Sequence, residues 1–447
     1  MSPYLFVVWI VLLALLIHLL ASHYEARRER ALKHQAEELA AVGDVVPPTL
    51  HPRIDPLRCI GSGACVNACP EKNVLGVIQG RAHLINAMSC VGHGACATAC
   101  PDKAIELVFG TRSRGVELPR LDANFQTSQP GIYIVGELGG MGLIRNAILQ
   151  GAGAAEHIIQ VSNRRAPRLR PETSFDALVV GAGPAGISAT LKLMEAGLSV
   201  LLVDQEDFGG TILHYPRAKI VMTGDLPLPI YGVVRRSTMP KEKLLELFSE
   251  LRRRLRIPFQ SHQRVVGLEP ESEGMWLVRS ESHVIRAANV VLALGTRGSP
   301  RKLGVPGEEL AKVHYRLLEP REFAGRDVLV VGGGNSAVES ALSLADAGCC
   351  ASVALSYRRQ HFVRCRGDNR QRIDVAIREG RVRALMPTQV VRIAERHVTI
   401  TTAQLASGRE AQYDLKNDAV IAQLGGTSPA DVLKSFGIEL MTKYGER

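Results

Sequence analysis

Residues 176–186 read DALVVGAGPAG, an apolar run that leads into a G-x-G-x-x-G spacing at Gly181, Gly183 and Gly186. A helical stretch follows, and the next apolar run ends at Asp204. In such a strand-turn-helix unit the glycines allow a tight turn and the close approach of a pyrophosphate, while the acidic residue suits a ribose hydroxyl. The segment, the first fingerprint, therefore predicts a dinucleotide-binding fold. An ordinary strand-glycine-helix turn is the alternative.

A second fingerprint occurs later in the chain. Residues 327–337 read DVLVVGGGNSA, which repeats the spacing as G-x-G-x-x-A. The next apolar run, residues 351–355, is followed by Arg358 and Arg359 where an acid would suit NAD. An arginine pair suits the 2′-phosphate of NADP, so the sequence favours NADPH over NADH. A plain solvated arginine pair is the alternative.

Two fingerprints in this order resemble the thioredoxin-reductase-like flavoproteins, in which FAD occupies the first and NADPH the second. Further matches are FGGT at 208–211, VLALGT at 291–296, GVPG at 304–307 and GGGNSAVE at 332–339. The C-x-x-C of disulfide-reducing members is missing from residues 314–323, so a dithiol shuttle of that type is not predicted. Cys349, Cys350 and Cys365 lack the motif and are interpreted as small buried residues.

One segment of the family pattern is out of order. Family members close the flavin domain with a C-terminal T-x-x-P-G-I-Y-x-x-G-D, followed by a helix under the flavin. Here residues 127–137 read TSQPGIYIVGE, before the first fingerprint and with Glu137 in place of Asp. The resemblance therefore implies a circularly permuted flavin domain with its new junction at the basic residues 164–170. It also implies a helix from near Met141 that directs its N-terminal dipole at the flavin.

The resemblance assigns the residues that hold the two cofactors. They are Gly136, Glu137, Gly181, Gly183, Pro184, Gly186, Asp204, Gly210 and Thr211 for FAD, and Gly332, Gly334, Asn335, Ser336, Ala337, Arg358 and Arg359 for NADP(H). Hydride transfer between nicotinamide and flavin needs no side chain as an acid or base. No catalytic side chain is therefore predicted.

A cysteine repeat precedes both fingerprints. Residues 59–70 read CIGSGACVNACP and residues 90–101 read CVGHGACATACP. The repeat resembles that of bacterial two-cluster ferredoxins, C-x2-C-x2-C-x3-C-P, with Ser62 and His93 in place of the second cysteine of each copy. Disulfides or a zinc site are the alternatives. A cytoplasmic location opposes disulfides, and the doubled Cys-Pro spacing differs from that of a zinc ribbon.

The fourth cysteine of each run ligates the other cluster in such ferredoxins. The resemblance therefore implies two clusters, one held by Cys59, Cys65 and Cys100 and the other by Cys90, Cys96 and Cys69. Each cluster lacks one thiolate. Three outcomes stay open: a 3Fe-4S cluster, a 4Fe-4S cluster with the Ser62 oxygen or the His93 nitrogen as the odd ligand, or a site closed by hydroxide. An imidazole ligand should raise the reduction potential.

The N-terminal region contains an apolar run over residues 4–21, broken only by His18. At about 1.5 Å per residue the run reaches the ~30 Å thickness of a bilayer core, and basic residues follow it. These features predict a single-pass anchor over residues 1–23 in the inner (cytoplasmic) membrane, with the other domains facing the cytoplasm. Residues 24–50 are then a juxtamembrane helix and linker. A cleaved signal peptide is the alternative, but no basic n-region is present.

The chain has 447 residues, of which 46% are hydrophobic, enough to bury several cores and to exclude wholesale disorder. The predicted fold class is α/β, with two Rossmann-like domains, a small α+β ferredoxin-like domain and one N-terminal transmembrane helix. The predicted boundaries are 51–110 for the ferredoxin-like domain, 111–162 for the permuted segment, 163–174 for a linker, 175–308 for the FAD domain, 309–416 for the NAD(P)H domain and 417–447 for the end of the FAD domain.

Together these features indicate an oxidoreductase that passes electrons between NADP(H), FAD and two iron–sulfur clusters, to or from an external redox carrier or a membrane redox protein. The rivals are a disulfide reductase acting on a partner's thiols and a non-catalytic iron–sulfur redox sensor. The net charge of +10 does not select a partner by itself. Nucleic acid is disfavoured, because no basic patch is interleaved with aromatic residues. A lipid bilayer is the predicted surface partner, and a homodimer stays open.

Overall fold

A computed structural model describes residues 3–41, 50–71, 73–111, 114–139, 142–164, 174–215, 217, 219–222, 224–236, 238–271, 274–295, 300–362, 365–402, 411–426 and 429–445. The chain divides into two compact units, one of Met1–Arg114 with Gly445–Arg447 and the other of Gly115–Tyr444. Residues 42–49 of the predicted linker, Met141, most of the junction at 164–170 and Thr296 lie outside the described residues.

The first unit holds a long helix, two strand pairs and two short helices. In chain order they are α1 (Pro3–Ala41), β1 (His51–Ile54), α2 (Ala64–Ala68), β2 (Leu75–Ile78), β3 (Arg81–Leu84), α3 (Ala95–Thr98) and β4 (Ile105–Val108). The pairs β1–β4 and β2–β3 are antiparallel. The helices α2 and α3 each begin after a left-handed glycine, Gly63 at φ 71° and Gly94 at φ 79°. The two halves of the cysteine repeat therefore turn in the same way.

Helix α1 packs on the β2–β3 hairpin through its C-terminal half. The Glu29 carboxylate accepts a hydrogen bond from the Gln79 N–H at 2.7 Å, and a Cβ on Gly76 would lie 3.1 Å from Leu32 Cδ1. The helix is continuous through residue 23, without the predicted division into an anchor and a juxtamembrane helix. Among the described residues, no helix combines the length and the apolar character that crossing a bilayer requires. The predicted inner-membrane location is therefore wrong, and the transmembrane anchor over residues 1–23 is not supported.

The second unit opens with a layer of strands and helices that contains the first fingerprint. Its elements are β5 (Val116–Pro119), β6 (Ile132–Ile134), α4 (Ile144–Arg164), β7 (Ser174–Phe175), β8 (Ala177–Val180), α5 (Pro184–Glu195), β9 (Val200–Val203), β10 (Ile220–Met222), β11 (Asp225–Leu228), β12 (Gly232–Arg235), β13 (Thr238–Pro240), α6 (Lys241–Leu255), β14 (Phe259–Gln260), β15 (Val265–Glu271), β16 (Met275–Ser280), β17 (Val284–Ala287) and β18 (Val290–Leu292). A five-stranded parallel sheet in the order β14-β9-β8-β18-β6 forms the first layer together with α4 and α5.

The edge strand β6 comes from the chain segment before the first fingerprint. It pairs in parallel with β18, and the helix after it, α4, packs closely along α5. A Cβ on Gly151 of α4 would lie 2.1 Å from the Ala185 carbonyl oxygen of α5, so only glycine permits this approach. Strand β6 and helix α4 therefore share a layer with the first fingerprint, although they precede it in the chain.

A second parallel sheet follows in the same unit. Its elements are β19 (Val313–His314), β20 (Asp327–Val331), α7 (Asn335–Ala347), β21 (Ser352–Ser356), α8 (Gly367–Arg378), β22 (Arg383–Leu385), β23 (Thr388–Ile393), β24 (His397–Thr402), β25 (Gln412–Lys416) and β26 (Ala419–Ala422), and the chain then continues into α9 (Ala430–Ser435) and β27 (Leu440–Lys443). The sheet has the order β19-β26-β20-β21-β22 and forms the second layer together with α7 and α8. The strands β23, β24 and β25 form a separate antiparallel sheet.

The structure differs from the predicted domain boundary at residue 417. Strand β26 lies inside the second layer, between β19 and β20, because its four apolar residues are all buried and suit a central parallel strand. The chain returns to the first layer only afterwards. Leu433 and Phe436 then join a core that contains Leu178 and Leu201, and β27 pairs antiparallel with β5.

Candidate functional site

One cavity of about 730 Å³ in the second unit is lined from both layers. Its lining residues include Gly136 and Glu137 after β6, Gly181, Gly183 and Pro184 from the first fingerprint, Asp204, Gly210 and Thr211 after β9, and Ser336 from the second fingerprint. The first residue of α4, Ile144, also lines it. The cavity thus collects predicted cofactor-holding residues from four separate segments of sequence.

The glycines of the first fingerprint have different tasks. Gly181 has φ +112°, and a Cβ there would lie 2.3 Å from the Ala293 carbonyl oxygen. A Cβ on Gly186 would lie 1.8 Å from the Gly181 carbonyl oxygen, so both glycines are required by packing. A Cβ on Gly183 would meet nothing within 4 Å. Open space therefore lies before the N-terminus of α5, where free backbone N–H groups suit a phosphate.

Asp204, directly after β9, forms a hydrogen bond with the glycine turn of the first fingerprint. Its carboxylate accepts hydrogen bonds from the N–H groups of Ala182 at 2.6 Å and Glu206 at 2.8 Å. Burial raises the pKa of Asp204, and these two hydrogen bonds oppose that shift. Across the cavity, Gly136 holds φ +84° and donates its N–H to Gln150 Oε1 at 2.7 Å. Glu137 beside it is exposed.

The second fingerprint repeats this arrangement. Gly332 has φ +142°, and a Cβ there would lie 2.4 Å from the Gln423 carbonyl oxygen, whereas a Cβ on Gly334 would meet nothing within 4 Å. Helix α7 begins at Asn335, whose Oδ1 accepts the Arg366 N–H at 2.6 Å. The structure places Arg358 and Arg359 directly after β21, both exposed. The predicted residues Gly186, Gly332, Gly334, Asn335, Ala337, Arg358 and Arg359 are not part of the cavity lining.

The structure also shows charged groups around the cavity that no sequence pattern predicts. Arg316 of the second layer donates to Glu206 Oε1 at 2.6 Å and contacts His214 Nδ1 at 3.0 Å. Lys219 donates to Glu339 Oε2 at 3.0 Å. These partners lie more than 100 residues apart in the chain, so local spacing carries no signal for them.

The Glu206, His214 and Arg316 side chains have coupled ionisation. Burial lowers the pKa of His214, and the Arg316 charge lowers it further. Burial alone would raise the pKa of Glu206, but the hydrogen bond and the charge of Arg316, together with the contact to His214, lower it. The carboxylate therefore stays ionised beside a neutral imidazole at neutral pH.

In the first unit, a small cavity is lined by Cys59, Cys65, Cys100 and Ser62. These are the three cysteines that the ferredoxin resemblance assigns to one cluster, together with the residue in the substituted position. Backbone N–H groups point at two of the sulfurs, from Ala82 to Cys59 Sγ at 3.3 Å and from Ala104 to Cys100 Sγ at 3.2 Å. Such hydrogen bonds stabilise thiolate ligands, so the donor set fits an iron–sulfur cluster.

The other three cysteines also lie together. Burial raises the pKa of Cys96 to about 11, and the neighbouring thiols of Cys90 and Cys69 contribute to the shift. The charge of Glu71 reaches Cys69, Cys90 and His93 and acts on the pKa of each of them. Cys69, Cys90 and Cys96 are therefore close enough to influence one another, and Cys65 of the first set also acts on the pKa of Cys96.

His93 fits the position of a ligand in this second set. Its Nε2 is buried and has no hydrogen-bond partner. Burial lowers the pKa of His93, against the opposing charge of Glu71, so the ring is neutral at neutral pH. A neutral imidazole with a buried unpaired nitrogen is the form that binds iron.

The nine cysteines all lie among the described residues, and no disulfide joins any of them. Within the described ranges, no three His, Cys, Asp or Glu side chains converge on the position of a single ion. Cys365 is fully buried, and burial raises the pKa of the half-buried Cys350 to about 11. These thiols of the second unit are thus protonated at neutral pH.

Two nucleotide-binding layers around one cavity, together with a six-cysteine unit, define a redox enzyme of the dinucleotide-binding class. Residues 178–445 match the family model for pyridine nucleotide-disulphide oxidoreductases, and residues 51–101 match that for the 4Fe-4S dicluster domain. The chain belongs to the pyridine nucleotide-disulphide oxidoreductase family. The predicted enzyme class is confirmed: the protein is an FAD-dependent NAD(P)H oxidoreductase with a 4Fe-4S dicluster domain.

Several known proteins are similar to this chain. A ferredoxin–NADP reductase from Ignicoccus hospitalis is 32% identical over 187 residues, which are 42% of this chain and 57% of that protein. The bacilliredoxin reductase Bdr from Bacillus subtilis is 25% identical over 273 residues, 60% of this chain and 82% of that protein. The structure of the bacillithiol disulfide reductase Bdr (YpdA) from Staphylococcus aureus has a TM-score of 0.51 at 21% identity, over 60% of this chain and 81% of that one. This last similarity concerns the fold alone.

Proposed function

We propose that this enzyme passes electrons between NADP(H), FAD and two iron–sulfur clusters, and through the clusters to or from an external redox carrier. The observation that carries the proposal is the shared cavity, in which Gly136, Gly183, Asp204 and Ser336 from four segments meet. The 4Fe-4S dicluster domain gives the same chain groups that accept and donate single electrons. The similarity to a ferredoxin–NADP reductase also supports electron exchange between NADP(H) and an iron–sulfur carrier.

Bound FAD supplies two-electron exchange with a nicotinamide and one-electron exchange with the clusters. We assign the pyrophosphate of FAD to the N-terminus of α5, beside the open space at Gly183 and Pro184. The Asp204 carboxylate suits the adenosine ribose. Gly136, Glu137 and the first residue of α4 line the same cavity; Gly136 and Glu137 would border the ribityl and phosphate groups, and the N-terminus of α4 would stabilise negative charge on the reduced ring.

On the nicotinamide side, the open space at Gly334 and the N-terminus of α7 suit the pyrophosphate of NADP(H). Arg358 and Arg359 are exposed and follow the strand next to β20. Both guanidinium groups are thus available to the 2′-phosphate. These positions support our proposal that the second fingerprint binds NADP(H) in preference to NAD(H).

In the first unit, we assign one cluster to Cys59, Cys65 and Cys100, beside Ser62. The other takes Cys69, Cys90 and Cys96, with the buried Nε2 of His93 as its fourth ligand. Each cluster has four irons if the substituted residue, Ser62 or His93, binds the iron at the corner without a thiolate. It has three irons if that corner stays empty.

The direct test is extraction of the bound cofactor, followed by anaerobic mixing with NADPH under a diode-array spectrometer. We expect FAD and rapid loss of its visible absorption. A protein that carries FMN alone, or a bound FAD that NADPH leaves oxidised, contradicts the proposal. A matched variant, Cys65→Ala, should keep this flavin reduction and lose electron transfer to a one-electron acceptor protein.

A disulfide reductase is the second candidate, favoured by the similarity to the bacilliredoxin reductase Bdr. Residues 314–323 contain no cysteine, so the thiols would have to belong to the partner. The experiment compares the rate of NADPH oxidation with two acceptors, an oxidised bacilliredoxin-type disulfide and an oxidised ferredoxin. Turnover with the disulfide that survives Cys65→Ala favours this second candidate.

A further inference from the structure

We propose that Glu71 supplies a negative charge to the iron–sulfur cluster assigned to Cys69, Cys90 and Cys96, and that this charge lowers the reduction potential of that cluster. The inference rests on the proposed function, which assigns a cluster to these three cysteines. It gives a potential-setting role to a side chain that lies outside the cysteine spacing and is not itself assigned as a ligand.

The two copies of the cysteine repeat each continue into an acidic residue. Glu71 is the second residue after Cys69, and Asp102 is the second residue after Cys100, so the two acids occupy the same position in the repeat. Their surroundings differ, because Glu71 is half-buried with its Oε1 atom buried, whereas Asp102 is exposed. A buried charge is screened less by solvent than an exposed one and acts more strongly on its neighbours.

Glu71 lies beside the residues assigned to the second cluster. The Cys69 thiol donates to the Glu71 carbonyl oxygen at 3.2 Å. Burial raises the pKa of Cys69 and of Cys90, and the charge of the Glu71 side chain raises both further. Burial lowers the pKa of His93, and the charge of Glu71 opposes that shift. The carboxylate is therefore close enough to act on two assigned thiolates and on the residue in the substituted position.

The equivalent acid in the other copy is a weaker source of negative charge. Asp102 lines the small cavity together with Cys59, Cys65 and Cys100, but it is exposed. The Nη2 atom of Arg58 donates to the Asp102 carbonyl oxygen at 3.0 Å, which places a positive charge beside this acid. The first cluster therefore receives less net negative charge from its acid than the second cluster receives from Glu71.

The charge of Glu71 opposes the effect of His93 on the potential. A neutral imidazole in place of a thiolate makes a cluster less negative and raises its reduction potential. A carboxylate near the same cluster adds negative charge and moves the potential down again, because net charge is one of the factors that set it. Glu71 therefore keeps the second cluster closer to the potential of a cluster with four thiolate ligands.

The experiment is a potentiometric titration of the full-length protein, poised with redox mediators and followed by low-temperature EPR. The second cluster is identified as the one whose signal changes in Cys96→Ala. We expect Glu71→Gln, which keeps the shape of the side chain, to favour reduction of this cluster by about tenfold in the equilibrium constant, which is about 59 mV for a one-electron couple. Glu71→Asp keeps the charge and should shift the potential by less than half as much.

The matched control is Asp102→Asn, which removes the acid at the same position of the other copy. Because solvent screens that carboxylate, we expect the potential of the first cluster to change by less than about threefold in the equilibrium constant. An acid that only supported the fold would change the melting temperature or the iron content, and not the potential of one cluster.

Four results would overturn the inference. They are equal potentials in wild type and Glu71→Gln, a lower potential in Glu71→Gln, an equal shift of both clusters in that variant, and loss of the cluster from both Glu71 variants, which would show that the carboxylate is needed for cluster binding. A wild-type protein without cluster signals, or with clusters that mediators reduce and NADPH does not, would instead refute the proposed function.

Discussion

Alanine substitutions at two glycines of the first fingerprint should separate cofactor binding from folding. In Gly183→Ala the new Cβ meets no protein atom within 4 Å, and the backbone angles, φ −80° and ψ −177°, are open to any residue. Alanine is a poorer N-cap than glycine by about 0.5–1 kcal/mol. It also restricts the unfolded chain, which stabilises the fold by about 0.4–1 kcal/mol. The two effects nearly cancel, so the fold should be as stable as wild type.

Gly186→Ala should have the opposite outcome. Its Cβ would lie 1.8 Å from the Gly181 carbonyl oxygen, and the turn has to open to at least 3.4 Å to accept it. Overpacking of this kind typically costs about 1–3 kcal/mol or more. The free energy of unfolding should fall by at least that amount, whether or not FAD is bound.

The assay is the FAD content of the purified protein together with the melting temperature of the flavin-free form. We expect Gly183→Ala to lose FAD, because its Cβ fills the space before the α5 N-terminus, while its flavin-free melting temperature stays within about a degree of wild type. Gly186→Ala should melt several degrees lower. Full FAD occupancy in Gly183→Ala, or an unchanged melting temperature in Gly186→Ala, would show that the roles of these glycines have been misassigned.

Three further predictions concern the charged and metal-binding residues. Neutral residues in place of Arg358 and Arg359 should raise KM for NADPH much more than KM for NADH in steady-state assays, and equal effects would refute the 2′-phosphate assignment. His93→Cys should lower the potential of one cluster and His93→Ala should leave it three-iron or labile, as followed by potentiometric EPR, whereas unchanged spectra in both variants would mean that the imidazole is only packed nearby. The contacts with Arg316 and His214 hold the pKa of Glu206 below its usual range, so these contacts stabilise the fold at neutral pH and their contribution is lost as the pH falls from the usual glutamate range through the lowered pKa. Glu206→Gln should therefore lower the melting temperature at pH 7, and a difference that persists unchanged at pH 3 would contradict this.

Local sequence patterns predicted the parts of the site that depend on backbone conformation. The turns at Gly181 and Gly332 need positive φ and leave no room for a Cβ, and this requirement is visible as glycine in the sequence. Cys59, Cys65 and Cys100, which the repeat implies as one set, likewise line one small cavity. Such features are encoded within a few residues, so a single sequence reveals them.

Contacts between distant segments could not be predicted in the same way. The pairs Lys219–Glu339 and Arg316–Glu206 join residues 120 and 110 positions apart, and no local pattern indicates either pairing. The boundary at residue 417 was misplaced because the short apolar strand β26 fits either layer by composition, and only its neighbours decide. Apolar composition also suggested a membrane anchor, which the described helices do not support.

Anaerobic titration of the full-length protein with NADPH, followed by visible absorption and low-temperature EPR on the same samples, tests the coupling of the two units most directly. The proposed function predicts that flavin bleaching is accompanied by reduction of iron–sulfur signals that depend on Cys65 and Cys96. Complete flavin reduction with cluster signals identical to those of the untreated protein, over minutes and with excess NADPH, would show that the clusters do not exchange electrons with the flavin.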